Sequence, residues 1–202
     1  MDISGIVLAG GKSLRLGYDK VLETVGKRSL LQQVVSCVAT LSSEVILVTT
    51  SEQTIPESID YPKLRTVTDI YPGKGPLGGI YTGLATSTSF CNLVVASDMP
   101  FLNPDLFRYM MQLADNFNAV VPRISNLVEP LHAVYTKSCL APMEQMIKQD
   151  KLSVNQLLNL VRTRYVEAEE IEKFDPEHLS FFNVNTKADL AKARELAKGC
   201  KS

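Results

Sequence analysis

The chain has 202 residues, 45% hydrophobic and 21% charged, which excludes a disordered polymer and fits one compact domain, since domains average about 150 residues. Twenty-one Lys and Arg against 22 Asp and Glu leave a net charge of -1, which excludes broad electrostatic attraction to nucleic acid or to an anionic membrane. No apolar run approaches the ~18 residues of a spanning helix, and Met1-Asp2-Ile3-Ser4 lacks the positive start of a secretory signal. The expectation is a single domain over residues 1–202, cytoplasmic, with no nucleic-acid or membrane partner.

In chain order, Ile3 to Ala9 is a short apolar run ended by Gly10-Gly11, the pattern of a buried strand entering a loop. Leu30, Leu31, Val34, Val35, Val38 and Leu41 recur at helical spacing behind Ser29, which suits an N-cap. Strands are expected over Glu44 to Thr50, Leu64 to Thr68 and Leu93 to Ser97, with a helix beginning after Gly79. Asn103-Pro104-Asp105 predicts a helix start. Asn caps, Pro has no amide to leave unpaired, and Asp favours the positive end. Ala119 to Val121 and Leu131 to Tyr135 read as further strands, Ser153 as a helix start, and Thr186-Lys187-Ala188-Asp189 as a capping box before a last helix. This alternation predicts an α/β protein, three layers around a mainly parallel sheet, with its site beyond the carboxyl ends of the strands.

Chemistry concentrates first in Leu8 to Lys20, LAGGKSLRLGYDK. Glycines expose backbone N–H groups, and Lys12, Arg15 and Lys20 can neutralise phosphates; a solvated basic loop is the plainer alternative. Two familiar phosphate loops fail. Ile6 stands where a Walker loop needs its first glycine, and Lys12 breaks the GxGxxG dinucleotide fingerprint. Asp69 and Asp98 each follow a strand and read equally as ligands or as turn formers. Cys37, Cys91, Cys139 and Cys200 lie far apart, and His132 and His178 are isolated, so reduced thiols and packed or surface histidines are expected rather than a metal cage.

Four blocks in order resemble the molybdenum cofactor guanylyltransferase family. They are LAGGKSLRLGYDK, Gly75-Pro76-Leu77-Gly78-Gly79, Ser97-Asp98-Met99-Pro100-Phe101-Leu102 and Asn183-Val184-Asn185-Thr186. The resemblance implies a Rossmann-like nucleotidyltransferase fold that transfers GMP from GTP to the terminal phosphate of Mo-molybdopterin and releases pyrophosphate. It implies a GTP site of Leu8, Ala9, Gly10, Gly11, Lys20, Asp69 and Asp98, with Lys20, Arg15 and Asp98 in the chemistry and Mg²⁺ on Asp98. A base-pocket loop of Gly75, Pro76 and Leu77 and an acceptor side of Glu129, Asn183 and Asn185 follow in the same way. Possible partners are cofactor-synthesis proteins or recipient molybdoenzymes. Two departures stand out: Ser153-Val154-Asn155-Gln156 lacks the Arg that relatives carry beside Ser, and Val48-Thr49-Thr50 lacks an Asn near the nucleotide.

Three alternatives remain open at this point. A molybdopterin cytidylyltransferase would carry a TAAG-type loop in place of LAGG, a small phospho-acid guanylyltransferase would differ in its acceptor, and a non-catalytic nucleotide-binding delivery protein would need neither Lys20 nor Asp98.

Overall fold

The computed structural model describes residues 2–9, 23–50 and 61–199. Strand β1 (Ile3–Leu8) leads, after an undescribed interval, to a small antiparallel hairpin, β2 (Thr24–Val25) and β3 (Arg28–Ser29), and then to α1 (Leu30–Ala39). Next come β4 (Glu44–Thr49), β5 (Leu64–Thr68), α2 (Gly75–Thr86), β6 (Cys91–Ala96) and α3 (Pro104–Gln112). Strands β7 (Ala119–Ile124), β8 (Leu127–Val128) and β9 (His132–Thr136) follow, then α4 (Leu140–Lys148), α5 (Val154–Leu160), β10 (Thr163–Glu167), α6 (Ala168–Ile171) and α7 (Lys187–Gly199).

The main sheet has the order β10-β7-β9-β6-β1-β4-β5, with β8 paired to β7. Pairings β1·β4, β1·β6, β4·β5 and β10·β7 are parallel, while β9 runs antiparallel to both its neighbours. The sheet is therefore mostly parallel, with two reversed strands, β9 and the short β8, that side-chain patterning does not distinguish. Both faces are covered, as a parallel sheet requires. Ile3 and Val7 of β1 and Val45 and Leu47 of β4 pack with α1, α3 and Ile171 of α6; Ile6, Leu8, Ile46 and Val48 pack with α2, α4 and α5. The period-two alternation of each strand thus feeds two cores.

Local signals placed most helices. Ser29 and Gln32 form the capping box of α1, Asn103 caps α3 through the amides of Asp105 and Leu106, and Ser153 caps α5. One boundary is corrected. The helix expected after Gly79 begins at Gly75, so GPLGG is its first turn rather than a loop. Pro76 fits there because a first-turn residue needs no amide partner, and Gly75 sits at φ +62°, a left-handed conformation that side chains resist. Strand limits shift by a few residues, to Cys91–Ala96 and His132–Thr136, and Ala119–Ile124 is longer than expected. The hairpin β2–β3, α4 and β10 add elements that the sequence pattern left unmarked.

The last helix does not cover the sheet. Leu190 and Ala193 of α7 pack with Val25, Leu30 and Val184 in a third small core, and Arg194 bonds the Thr24 carbonyl and pairs with Glu23. Among the described residues no helix is long and apolar enough to cross a membrane. Cys37, Cys91 and Cys139 are free thiols, the last two buried, and burial pushes their pKa values up to about 11, about 11 and about 12.

Candidate active site

The carboxyl ends of the parallel strands make one edge, and those of the predicted residues that the structure describes lie at or beside it. Ala9 leaves β1 with its amide bonded to the Val48 carbonyl (2.9 Å), and the Ser97 amide bonds the Leu8 carbonyl (3.1 Å). Asp69 leaves β5 with its amide on the Thr49 carbonyl (2.8 Å), so β4 lies between Asp69 and the exit of β1. Asp98 leaves β6, on the other side of that exit. Three strand spacings separate β5 from β6, about 14 Å at the usual 4.8 Å per step. The two carboxylates thus flank the β1 exit instead of forming one acidic pair.

Gly10, Gly11, Lys12, Arg15 and Lys20 lie outside the described residues. Their two ends are nevertheless defined, at Ala9 on the edge and at Glu23 before the hairpin that α7 covers.

Asp69 closes a turn. Its Oδ1 accepts from the Tyr71 amide (3.0 Å) and from the Thr82 hydroxyl (2.7 Å), which brings the turn onto the first turns of α2. The Asx geometry anticipated as the plainer reading is present, yet it occupies a single carboxylate oxygen. Gly78 lets the turn approach. A Cβ there would stand 2.9 Å from the Tyr71 carbonyl oxygen. Lys74, the residue before α2, makes no side-chain cap and instead pairs with Asp150 (2.8 Å) at the end of α4. Leu77 is fully buried in the core, so a contact of Leu77 with a base would run through its main chain.

On the far side of β6, the Ala96 amide bonds the Leu131 carbonyl (3.0 Å), which places Glu129-Pro130-Leu131 beside the start of the Asp98 loop. Glu129 is half-buried, and burial holds its carboxyl above the ordinary value. The Val184 amide donates to the Asp98 carbonyl at 3.0 Å. Asn183 and Asn185 therefore flank the residue that ties this late segment to the acidic loop. The Asn183 amide group bonds the Phe181 carbonyl, and the Asn185 main-chain amide bonds Asp189.

Of two further residues near this edge, one has no mark along the chain. Thr82 carried no motif, being one of several small residues in a helix. His132 is fully buried between Phe107, stacked at 4.1 Å, and Phe181 at 4.7 Å. Burial pushes its pKa down to about 3, only partly offset by the Ser180 main chain. The expectation is a packed or surface histidine, and the side chain is packed; among the described residues no group of three His, Cys, Asp or Glu side chains is placed to hold a metal ion. A cavity of about 400 Å³ beside Phe90, Phe117, Asn118 and Arg162 opens at the opposite edge, where β6 begins and β9 ends, away from these residues.

A doubly covered sheet with acidic loops at the carboxyl ends of its strands is the architecture of a Rossmann-like nucleotide-binding protein. Residues 5–167 match the family described as the MobA-like NTP transferase domain. A "Probable molybdenum cofactor guanylyltransferase" from Pelotomaculum thermopropionicum is 36% identical over 202 residues, 100% of this chain and 97% of the relative. A "Molybdenum cofactor guanylyltransferase" from Syntrophotalea carbinolica is 33% identical, over 97% of this chain and 92% of its own. Among solved structures, molybdopterin-guanine dinucleotide biosynthesis protein A from Archaeoglobus fulgidus superposes with a TM-score of 0.83 at 27% identity, covering 97% of this chain and 99% of that one. The chain belongs to the MobA-like nucleotidyltransferase family, on the molybdenum cofactor guanylyltransferase branch.

Proposed function

We propose that this protein transfers GMP from GTP to the terminal phosphate of Mo-molybdopterin and releases pyrophosphate. The observation that carries the reading is the placement of Asp69, the GPLGG helix start and the Asp98 loop around the exit of β1, in a chain aligned over its whole length with guanylyltransferases. An acceptor phosphate oxygen forms a bond to the α-phosphorus of GTP as the bond to the β-phosphate oxygen breaks. A phosphate nucleophile needs little covalent help, so catalysis is mainly in-line placement and charge neutralisation.

In this reading Asp69 and the first turn of α2 hold the nucleoside end. Arg15 and Lys20 neutralise the triphosphate and the departing pyrophosphate, with Leu8, Ala9, Gly10 and Gly11 supplying main-chain contacts. Asp98 holds the divalent cation, for which we propose Mg²⁺. One carboxylate completed by phosphate oxygens and water is a common Mg²⁺ donor set, and it agrees with an edge where no third acidic or imidazole ligand joins Asp98 among the described residues. When bound, the ion would withdraw charge from the phosphoryl oxygens. Glu129, Asn183 and Asn185 line the acceptor side, beyond Asp98 from the nucleoside. The reaction is placed in the cytoplasm, within a single catalytic domain.

Pyrophosphate release with GTP, Mg²⁺ and Mo-molybdopterin tests the reading. Guanylylated pterin should form with GTP and not with CTP. A preference for CTP would reassign the base, and GTP binding without pyrophosphate release would reduce the protein to a nucleotide-binding delivery role.

A further inference from the structure

Thr82 is 1% exposed and stands in the second turn of α2, beneath the turn that follows β5. Its hydroxyl oxygen has three polar neighbours. The Ile70 amide donates to it at 3.1 Å, the Asp69 carboxylate lies at 2.7 Å through Oδ1, and the Gly78 carbonyl lies at 3.0 Å. A threonine hydroxyl has one proton. The shorter, charge-assisted contact to the carboxylate is the stronger acceptor, and the Gly78 carbonyl is already where a helical i to i+4 bond is made.

The consequence falls on Asp69. Its Oδ1 receives the Tyr71 amide and the Thr82 hydroxyl, while Oδ2 accepts from none of the described residues. Two donors from different elements, one from the turn and one from the helix, fix both the position and the rotation of the carboxylate plane. The Tyr71 bond alone would set neither, because a single hydrogen bond leaves the group free to pivot. A turn needs only the Tyr71 contact. The second donor, buried and projecting from a helix, is what locks Oδ2 in one direction.

We propose that Thr82 is a positioning residue for the nucleotide site: it holds Asp69 so that Oδ2 accepts a hydrogen bond from a donor group on the nucleoside of GTP. This rests on the reading of Asp69 as a nucleotide ligand. Thr82 itself touches no substrate. Its effect belongs to binding of the nucleoside and not to phosphoryl transfer, because Asp69 lies three strands from Asp98.

The test is a cycle of Thr82→Val, Asp69→Asn and the double variant, with Thr82→Ser as the conservative control. Thr82→Val keeps the shape of the buried side chain and removes the hydroxyl. Asp69→Asn keeps an oxygen for the Tyr71 and Thr82 donors and turns the presented atom from acceptor to donor. Equilibrium GTP affinity, KM and kcat for transfer, and thermal midpoints are read for each. Thr82→Val should weaken GTP about tenfold, the scale of one lost hydrogen bond to a charged group, with kcat within about twofold; Thr82→Ser should recover most of the affinity. In the Asp69→Asn background Thr82→Val should add less than about twofold, although the lost acceptor for the Ile70 amide should lower the thermal midpoint in both backgrounds. Equal weakening of GTP in both backgrounds would overturn the proposal and leave Thr82 a structural residue. Normal GTP affinity in Asp69→Asn would instead remove Asp69 from the nucleotide site, and the positioning role with it. Impaired Asp69→Asn beside an unaffected Thr82→Val would reject Thr82 alone.

Discussion

The main-chain amide of Val184 donates to the carbonyl of Asp98 at 3.0 Å, across 86 positions of sequence. Val184 is itself 1% exposed, locked between Val25, Leu30, Leu190 and Ala193. The acidic loop is therefore braced on the small core that also anchors the hairpin following Lys20. Two of the four blocks that resemble the guanylyltransferases, Ser97 to Leu102 and Asn183 to Thr186, meet through this contact.

Asp98 should carry the metal. Asp98→Asn keeps the size of the side chain and removes one formal charge, so transfer should fall by about 100-fold or more, the scale of losing a principal electrostatic contact, with a thermal midpoint within a few degrees of the parent. A Mg²⁺ titration should shift to higher concentration. Near-normal activity at limiting Mg²⁺ would count against this role.

Gly78 should be intolerant of even one methyl. Its Cβ would lie 2.9 Å from the Tyr71 carbonyl oxygen and 3.2 Å from the Cβ atoms of Tyr71 and Lys74. The nearest atom is main chain, so the turn must move, at a cost of about 1–3 kcal/mol. Gly78→Ala should lower the thermal midpoint and raise KM for GTP more than it lowers kcat. A variant with parental stability and KM would show that the turn yields without consequence.

Glu129 makes a pH-dependent prediction. Burial raises its carboxyl above the ordinary 4.5, so the folded protein holds the proton more tightly than the unfolded chain does. Its contribution to stability is present below 4.5 and is lost as pH rises through the raised value. Glu129→Gln should therefore be at least as stable as the parent at pH 7, and the two should converge near pH 4. Chemical denaturation across this range measures the difference. If the residue also lines the acceptor side, KM for the pterin should rise several-fold while KM for GTP stays within about twofold.

His132 has the opposite sign. Its pKa falls from 6.5 to about 3 on burial between Phe107 and Phe181, so the folded state resists protonation. The stability is whole above pH 6.5 and declines as pH drops toward 3, by about 2 kcal/mol at pH 5. His132→Phe, which keeps an aromatic ring in the stack, should flatten the unfolding profile between pH 6.5 and 4. An unchanged acid slope would place the sensitivity elsewhere.

Much of this molecule is legible along the chain because the signals are local. Ser29, Asn103 and Ser153 cap their helices through amides two or three residues away, and the apolar alternation of β1 and β4 follows from the two-residue repeat of a strand. The motif blocks, too, are short strings whose residue types by themselves suit phosphate and metal chemistry. The start of α2 at Gly75 was obscured because glycine and proline signal a turn and a first helical turn alike. The reversal of β9 was hidden because side-chain alternation is the same in either strand direction, and direction is settled only by which partner the chain turns back to. Thr82 had no local mark. It becomes meaningful when a helix crossing from β5 to β6 lays it against Asp69, thirteen residues earlier. The meeting of Val184 with Asp98 is likewise a product of packing: burial of Val184 in the core under α7 brings its amide to that carbonyl, and no periodicity or spacing along a chain encodes a bond across such a distance.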